Sequence, residues 1–163
     1  MSRASSIDRL LCFRVQGFLV RYAPGHTDGH AVLLHAESGT VVGGDHVVGF
    51  GSVSLDPVCG DMSDYFATTH ALIGMQPRLV IPAHGPPSYR PISMLRQYLA
   101  HRQAREEKIL DSYQRGNVTA DAIVRDVYTD VAQSMWPFAV RNVELHLSKL
   151  HKDGRIPSFG EAQ

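Results

Sequence analysis

At 163 residues the chain has room for one domain, or for one small domain and part of another. Sixteen Lys and Arg balance sixteen Asp and Glu, so no overall charge draws the whole chain onto a polyanion, and no apolar run approaches the roughly 18 residues that span a bilayer. Two cysteines, Cys12 and Cys59, make no disulfide framework and point to a reducing, intracellular setting; residues 1–6 have a trace of transit-peptide character, cut short by Asp8, which leaves cytosol and organelle (mitochondrion or plastid) both open.

The first region, to about residue 87, consists of short apolar runs broken by Gly and Pro. Residues 10–13 and 18–22 flank Gln16-Gly17 and predict a hairpin. Residues 31–35 and 40–42 predict two more strands joined by a turn at Glu37-Ser38-Gly39. Cys59-Gly60-Asp61 reads as a loop and helix cap. From Asp61 to about Met75 the spacing of Met62, Tyr65, Phe66, Thr69 and Leu72 predicts a helix with one apolar face, on which Tyr65 and Phe66 are core residues. Residues 79–81 form a brief strand predicted to end at Pro82.

A long helix is predicted from Pro91 to about Arg115, with Ile92, Leu95, Tyr98, Leu99, Ile109 and Leu110 on one face and Gly116-Asn117 as its stop. Residues 88–116 hold six Lys and Arg against three Asp and Glu, read as a solvated helix face. Beyond lies a small helical module. One helix opens at Thr119 or Ala120 and runs to Tyr128; a second covers 137–152, with Val140, Val143, Leu147 and Leu150 at helical spacing. Gly154 stops it, and residues 155–159 suit a hairpin wing, so the module has the outline of a winged helix. Trp136-Pro137-Phe138 reads as packing. From Asn117 onward five Lys and Arg meet six Asp and Glu, which argues against tight nucleic-acid binding; Arg102, Arg105, Arg141 and Lys149 are the candidates for a basic patch.

Three motifs carry the chemistry: Pro24-Gly25-His26-Thr27-Asp28-Gly29-His30, Gly43-Gly44-Asp45-His46 and Pro82-Ala83-His84-Gly85-Pro86. Each places an imidazole or carboxylate just past the end of a predicted strand, beside glycines that permit close backbone turns. Such groups suit zinc.

In this order the three motifs resemble the last metal-binding motifs of the metallo-β-lactamase superfamily. Among its branches the chain is most similar to the glyoxalase-II-like hydrolases and to the β-lactamase-like endoribonuclease group. The latter adds a long helix, here matched by Tyr98-Leu99-Ala100-His101-Arg102 and Arg105-Glu106, and a C-terminal winged helix. The likeness covers residues 18–156. It implies an α/β fold: half of an αβ/βα sandwich (residues 1–90), a linker helix (91–116) and an α-helical winged-helix-like tail (117–163). It also implies one or two Zn2+ ions, with His26 on the first metal, Asp45 bridging and His84 on the second. A hydroxide held between the metals would act as nucleophile on a thioester or on an RNA phosphodiester. His30 and His46 stand beside ligand positions, where they either orient the ligands or pack locally.

The family's other signature, an HxHxDH cluster, is absent from this sequence. Two readings follow. One is a metal-dependent hydrolase present as its C-terminal portion, with a small thioester or single-stranded RNA as substrate. The other is a truncated, non-catalytic chain acting as a binding or regulatory module. Either way, half a sandwich leaves one sheet face uncovered and predicts self-association through it.

Overall fold

The computed structural model describes residues 14–15, 17–55 and 58–157. Five strands form one sheet in chain order: β1 (Arg14–Val15), β2 (Phe18–Tyr22), β3 (Ala31–His35), β4 (Thr40–Val48) and β5 (Leu79–His84). Neighbours from β1 to β4 are antiparallel, and β5 lies parallel to β4. A parallel pair needs a crossover, supplied by α1 (Met62–Gly74). β1 and β2 pair as a hairpin with Gly17 at a φ of 87°, its first strand at Arg14–Val15; the expected first strand at 10–13, and Gln16, lie outside the described residues.

Two strands outrun their predicted ends. β4 continues through the glycine pair to Val48 because Gly44, at a φ of 52°, absorbs a register shift against β5 instead of breaking the strand. β5 passes through Pro82 to His84. Proline is tolerated in an edge strand, and beyond Val80 a backbone bridge to Ser88 covers that edge.

Alternation along the strands sorts the side chains onto two faces. Val32, Val41 and Val80 are fully buried beneath Leu72 of α1 and Leu95 and Tyr98 of α2 (Pro91–Gln114). On the opposite face Val20 pairs with Leu33, Leu33 with Val42, and Val42 with Ile81, an apolar row across four strands. Leu33 and Ile81 remain 37% and 36% exposed.

The cap on α1 is as predicted. The Asp61 carboxylate accepts from the Asp64 backbone N–H at 3.0 Å. Asp61→Ala should therefore cost about 0.5–2 kcal/mol in a urea melt; a loss within error would mean the loop, not the cap, starts the helix.

By its internal contacts the chain divides between Leu99 and Ala100, inside α2 rather than at either helix end. In the second unit α2 ends at Gln114, and Gly116, at a φ of 100°, lets the Gly116 and Asn117 N–H groups close on Tyr113 and Ser112. Ile109 and Leu110 of α2 pack with Ile123 and Val124 of α3 (Ala120–Val127) and with Val143, Leu147 and Leu150 of α4 (Trp136–Lys152). Thr119 caps α3. Trp136 packs on this core and donates to the Val131 carbonyl at 3.2 Å, but Phe138 stays 64% exposed, so the Trp136-Pro137-Phe138 stretch packs through its first residue. No strand occurs at residues 155–157, and the rest of the expected wing lies outside the described residues.

Ionisable groups are buried in this unit as well. Glu106 and His146 are buried. The His146 Nδ1–H donates to Glu106 Oε2 at 3.1 Å, and Lys149 Nζ donates to Oε1 at 3.0 Å. Burial pulls the His146 pKa down against the opposing pull of the Glu106 carboxylate. Burial alone would raise the Glu106 pKa, yet its hydrogen bonds from His146 and Lys149 hold it below the usual value.

The expected basic patch is dispersed for the same reason. Lys149 is taken up by Glu106 and by Asp153 at 2.7 Å, Arg105 lies 4.1 Å over the Tyr128 ring, and Arg102 is buried. Of the four basic residues, Arg141 alone is exposed.

Candidate metal centre

The sheet topology decides where the three motifs meet. β2 and β4 both run antiparallel to β3, and β5 runs with β4. Their C-terminal ends therefore share one edge of the sheet, and His26, Asp45 and His84 belong to that edge.

His26 lies in the loop after β2. That loop closes on itself through Ala23 N–H to His30 O at 2.8 Å. It is fastened to α1 by the Asp61 N–H on Gly25 O at 2.9 Å and by the Thr68 hydroxyl on Pro24 O at 2.7 Å. Gly25 has a φ of 127°, and a Cβ there would fall 2.4 Å from the Tyr65 backbone. Only glycine allows this approach.

Asp45 and His46 alternate along β4. His46 points inward and is fully buried, stacked on the Tyr65 ring at 4.3 Å. Its Nε2 lies 2.9 Å from Thr69 Oγ1. The Thr69 hydroxyl proton goes to Tyr65 O at 2.7 Å, which assigns the imidazole proton to Nε2. Asp45 turns the other way and meets His84, the last residue of β5, with His84 Nε2 3.2 Å from Asp45 Oδ1. The Gly49 N–H donates to His84 O at 2.7 Å and fixes the strand end.

His30 stands between the motifs. Its ring centroid is 5.9 Å from His26, edge to face, and 6.1 Å from His46. A side chain at Gly44 would fall 2.7 Å from its Nε2. Burial and the neighbouring His26 lower its pKa, against a backbone hydrogen bond at Ala23 and the charge of Asp45. The Nδ1 atoms of His26 and His30 are buried without a hydrogen-bond partner. The structure thus brings Asp45 and His84 together and leaves His26 beside His30. No group of three or more His, Cys, Asp or Glu among the described residues is arranged to hold a metal ion.

Two imidazoles and a carboxylate toward the same end of β2, β4 and β5, with an orphaned ring nitrogen at His26, fit part of a zinc-type centre. Of the three, Asp45 and His84 converge, one fewer than the three protein ligands that a catalytic zinc ion ordinarily has.

Residues 119–161 match the family model described as the beta-lactamase associated winged helix domain. The chain is 35% identical over 149 residues to the "Beta-lactamase-like protein 2 homolog" of Drosophila melanogaster, covering 88% of this chain and 49% of that protein. It is 24% identical to the "Probable metallo-hydrolase YqjP" of Bacillus subtilis over 90% of this chain and 49% of that one. A solved metallo-beta-lactamase family protein from Thermus thermophilus superposes with a TM-score of 0.76 at 24% identity, over 93% of this chain and 50% of its own.

The chain shares the fold of the metallo-β-lactamase superfamily and is similar over most of its length to proteins of it. As a metallo-β-lactamase-fold chain it carries that superfamily's associated winged helix at the C-terminal side, and it spans about half the length of the curated relatives it matches. Among the described residues no helix is long and apolar enough to cross a membrane.

The pairing of Glu106 with His146 in this metallo-β-lactamase-fold chain escaped the sequence reading, although Glu106 itself belongs to the linker-helix match. Glu106 and His146 are 40 residues apart, and no motif links them. One signal was available: His146 falls three residues after Val143 and four before Leu150, on the buried stripe of α4.

Proposed function

We propose that this chain provides His26, Asp45 and His84 as ligands of a zinc-type centre in a hydrolase that cleaves phosphodiester bonds in single-stranded RNA, with thioesters as the competing substrate class. The observation that carries the reading is the 3.2 Å approach of His84 to Asp45 at the edge where β2 also ends. The associated winged helix favours the endoribonuclease-like branch that the sequence resembles.

The chain's own residues have distinct tasks. His26, Asp45 and His84 would hold the metal. When bound, a zinc ion supplies Lewis acidity and makes water acidic enough to act near neutral pH. His46 locks β4 from beneath through Thr69 and Tyr65, which keeps Asp45 on the outer side of the strand. His30, edge-on to His26, limits how far that ring can turn.

Cobalt(II) titration followed by visible absorption tests the centre directly. Binding should weaken roughly tenfold or more in Asp45→Ala and in His84→Ala. Equal binding by both variants would place the metal elsewhere.

A non-catalytic module is the second reading, favoured by the lack of a three-residue ligand group among the described residues. It agrees with the first on one expected result: the chain alone should hydrolyse RNA and thioesters poorly. Brisk turnover, abolished by chelator and by Asp45→Ala, would rule out the second reading and show that three ligands suffice.

A further inference from the structure

Phe50 is 73% exposed, a large apolar ring held in water. Single exposed hydrophobics are ordinary, but the mounting of this one is not. Gly49 N–H is bonded to His84 O at 2.7 Å. A Cβ on Gly49 would fall 2.6 Å from the Pro86 ring, and one on Gly85 would fall 2.9 Å from two atoms of the Phe50 ring. Gly85 itself has a φ of 88°. The segments after β4 and after β5 therefore cross at backbone contact, and the Phe50 ring lies against the residue that follows His84. Further along its loop, Val53 and Leu55 are buried and anchor the chain. Tyr89, also exposed, follows Ser88, which bridges back to Val80 and so lies away from the strand end.

We infer that Phe50 is a specificity-determining residue that stacks a nucleobase next to the scissile phosphodiester. This rests on the RNA reading of the centre. A flat apolar ring, fixed on a rigid backbone crossing and open to solvent on its outer side, matches the π-face that every base presents. Because the crossing is already packed, little ordering opposes stacking. The ring selects for a planar group, not for a particular base, so the expected preference is for bases over abasic sugar-phosphate.

The test uses the whole chain carrying Phe50→Trp, with the wild-type chain, whose single tryptophan is Trp136, as the emission background. Single-stranded oligoadenylate should quench the added emission saturably, and an abasic oligomer of equal length should not. Anisotropy of labelled oligoadenylate should show binding weakened about fivefold to a hundredfold in both Phe50→Ala and Phe50→Leu, since leucine keeps apolar surface but no planar face. RNA binding that leaves the added indole emission of Phe50→Trp unmoved, with unchanged affinity in both of the other variants, would overturn the stacking role and leave the RNA reading standing. Equal quenching by the abasic oligomer would also overturn it. Absence of RNA binding by every form would remove the RNA reading and this inference together.

Discussion

Glu106→Ala should unfold the C-terminal module. The substitution leaves Lys149 and the buried His146 without the carboxylate they share, and breaking a buried charged pair by removing one member costs about 3–5 kcal/mol. A core of this size supplies no more than about 3–5 kcal/mol in all. Circular dichroism should show the helical signal of α3 and α4 lost, while Glu106→Gln, which keeps an acceptor oxygen and the side-chain volume, should retain most of it. A urea midpoint in Glu106→Ala within error of wild type would show that the cluster is solvated and energetically idle. The same cluster sets the pH response. The folded His146 pKa lies below the ordinary value of 6.5, so between the two values the unfolded chain binds more protons. Stability is then constant above about pH 6.5 and falls as pH drops below it. Glu106 adds to the loss below its ordinary 4.5, as pH falls through its lowered folded value.

The largest effect on solution behaviour should come from the sheet. The row Val20, Leu33, Val42 and Ile81 crosses four strands on the face away from α1 and α2. Burying such a row against a second copy is favourable by about 25 cal/mol per Å2 of apolar area, so the chain should scatter light as a species larger than its 18.0 kDa. Leu33→Lys combined with Ile81→Lys should return it to the monomer mass, because two charges would have to be desolvated at the contact. A wild-type monomer that binds no apolar dye would remove the self-association proposal.

Why some of this was legible in the sequence and some not follows from the range of each interaction. The Asp61 cap, the Gly116 stop and the apolar face of α1 are decided within a few residues, and the structure has them where spacing predicts. The edge shared by His26, Asp45 and His84 depends on strand direction, which the order of the three motifs carried through the family resemblance, and which the apolar runs alone do not fix. Strand ends were harder. Gly43-Gly44 reads locally as a break, yet pairing with β5 on one side and β3 on the other carries β4 through it. Pro82 reads as a stop until β5 is known to be an edge strand. The candidate basic patch fared differently. The basic-patch reading takes Lys149 and Arg105 as cations open to a partner, whereas Lys149 is held by Glu106 and Arg105 lies over the Tyr128 ring. The distance between His26 and the Asp45–His84 pair was not legible at all, because it depends on how α1 seats the loop that Gly25 presses against it.

That seating has a mechanical consequence. Asp45 and His84 ride on two neighbouring parallel strands and share their stiffness, while His26 is tethered to the helix through Pro24, Gly25 and Asp61. The prospective ligands thus have two separate supports, and a metal centre that engaged all three would couple the helix to the strands. Metal loading would then act as a clamp between helix and strands, and it would register as slowed amide exchange along the first turns of α1, a segment that contributes no ligand of its own.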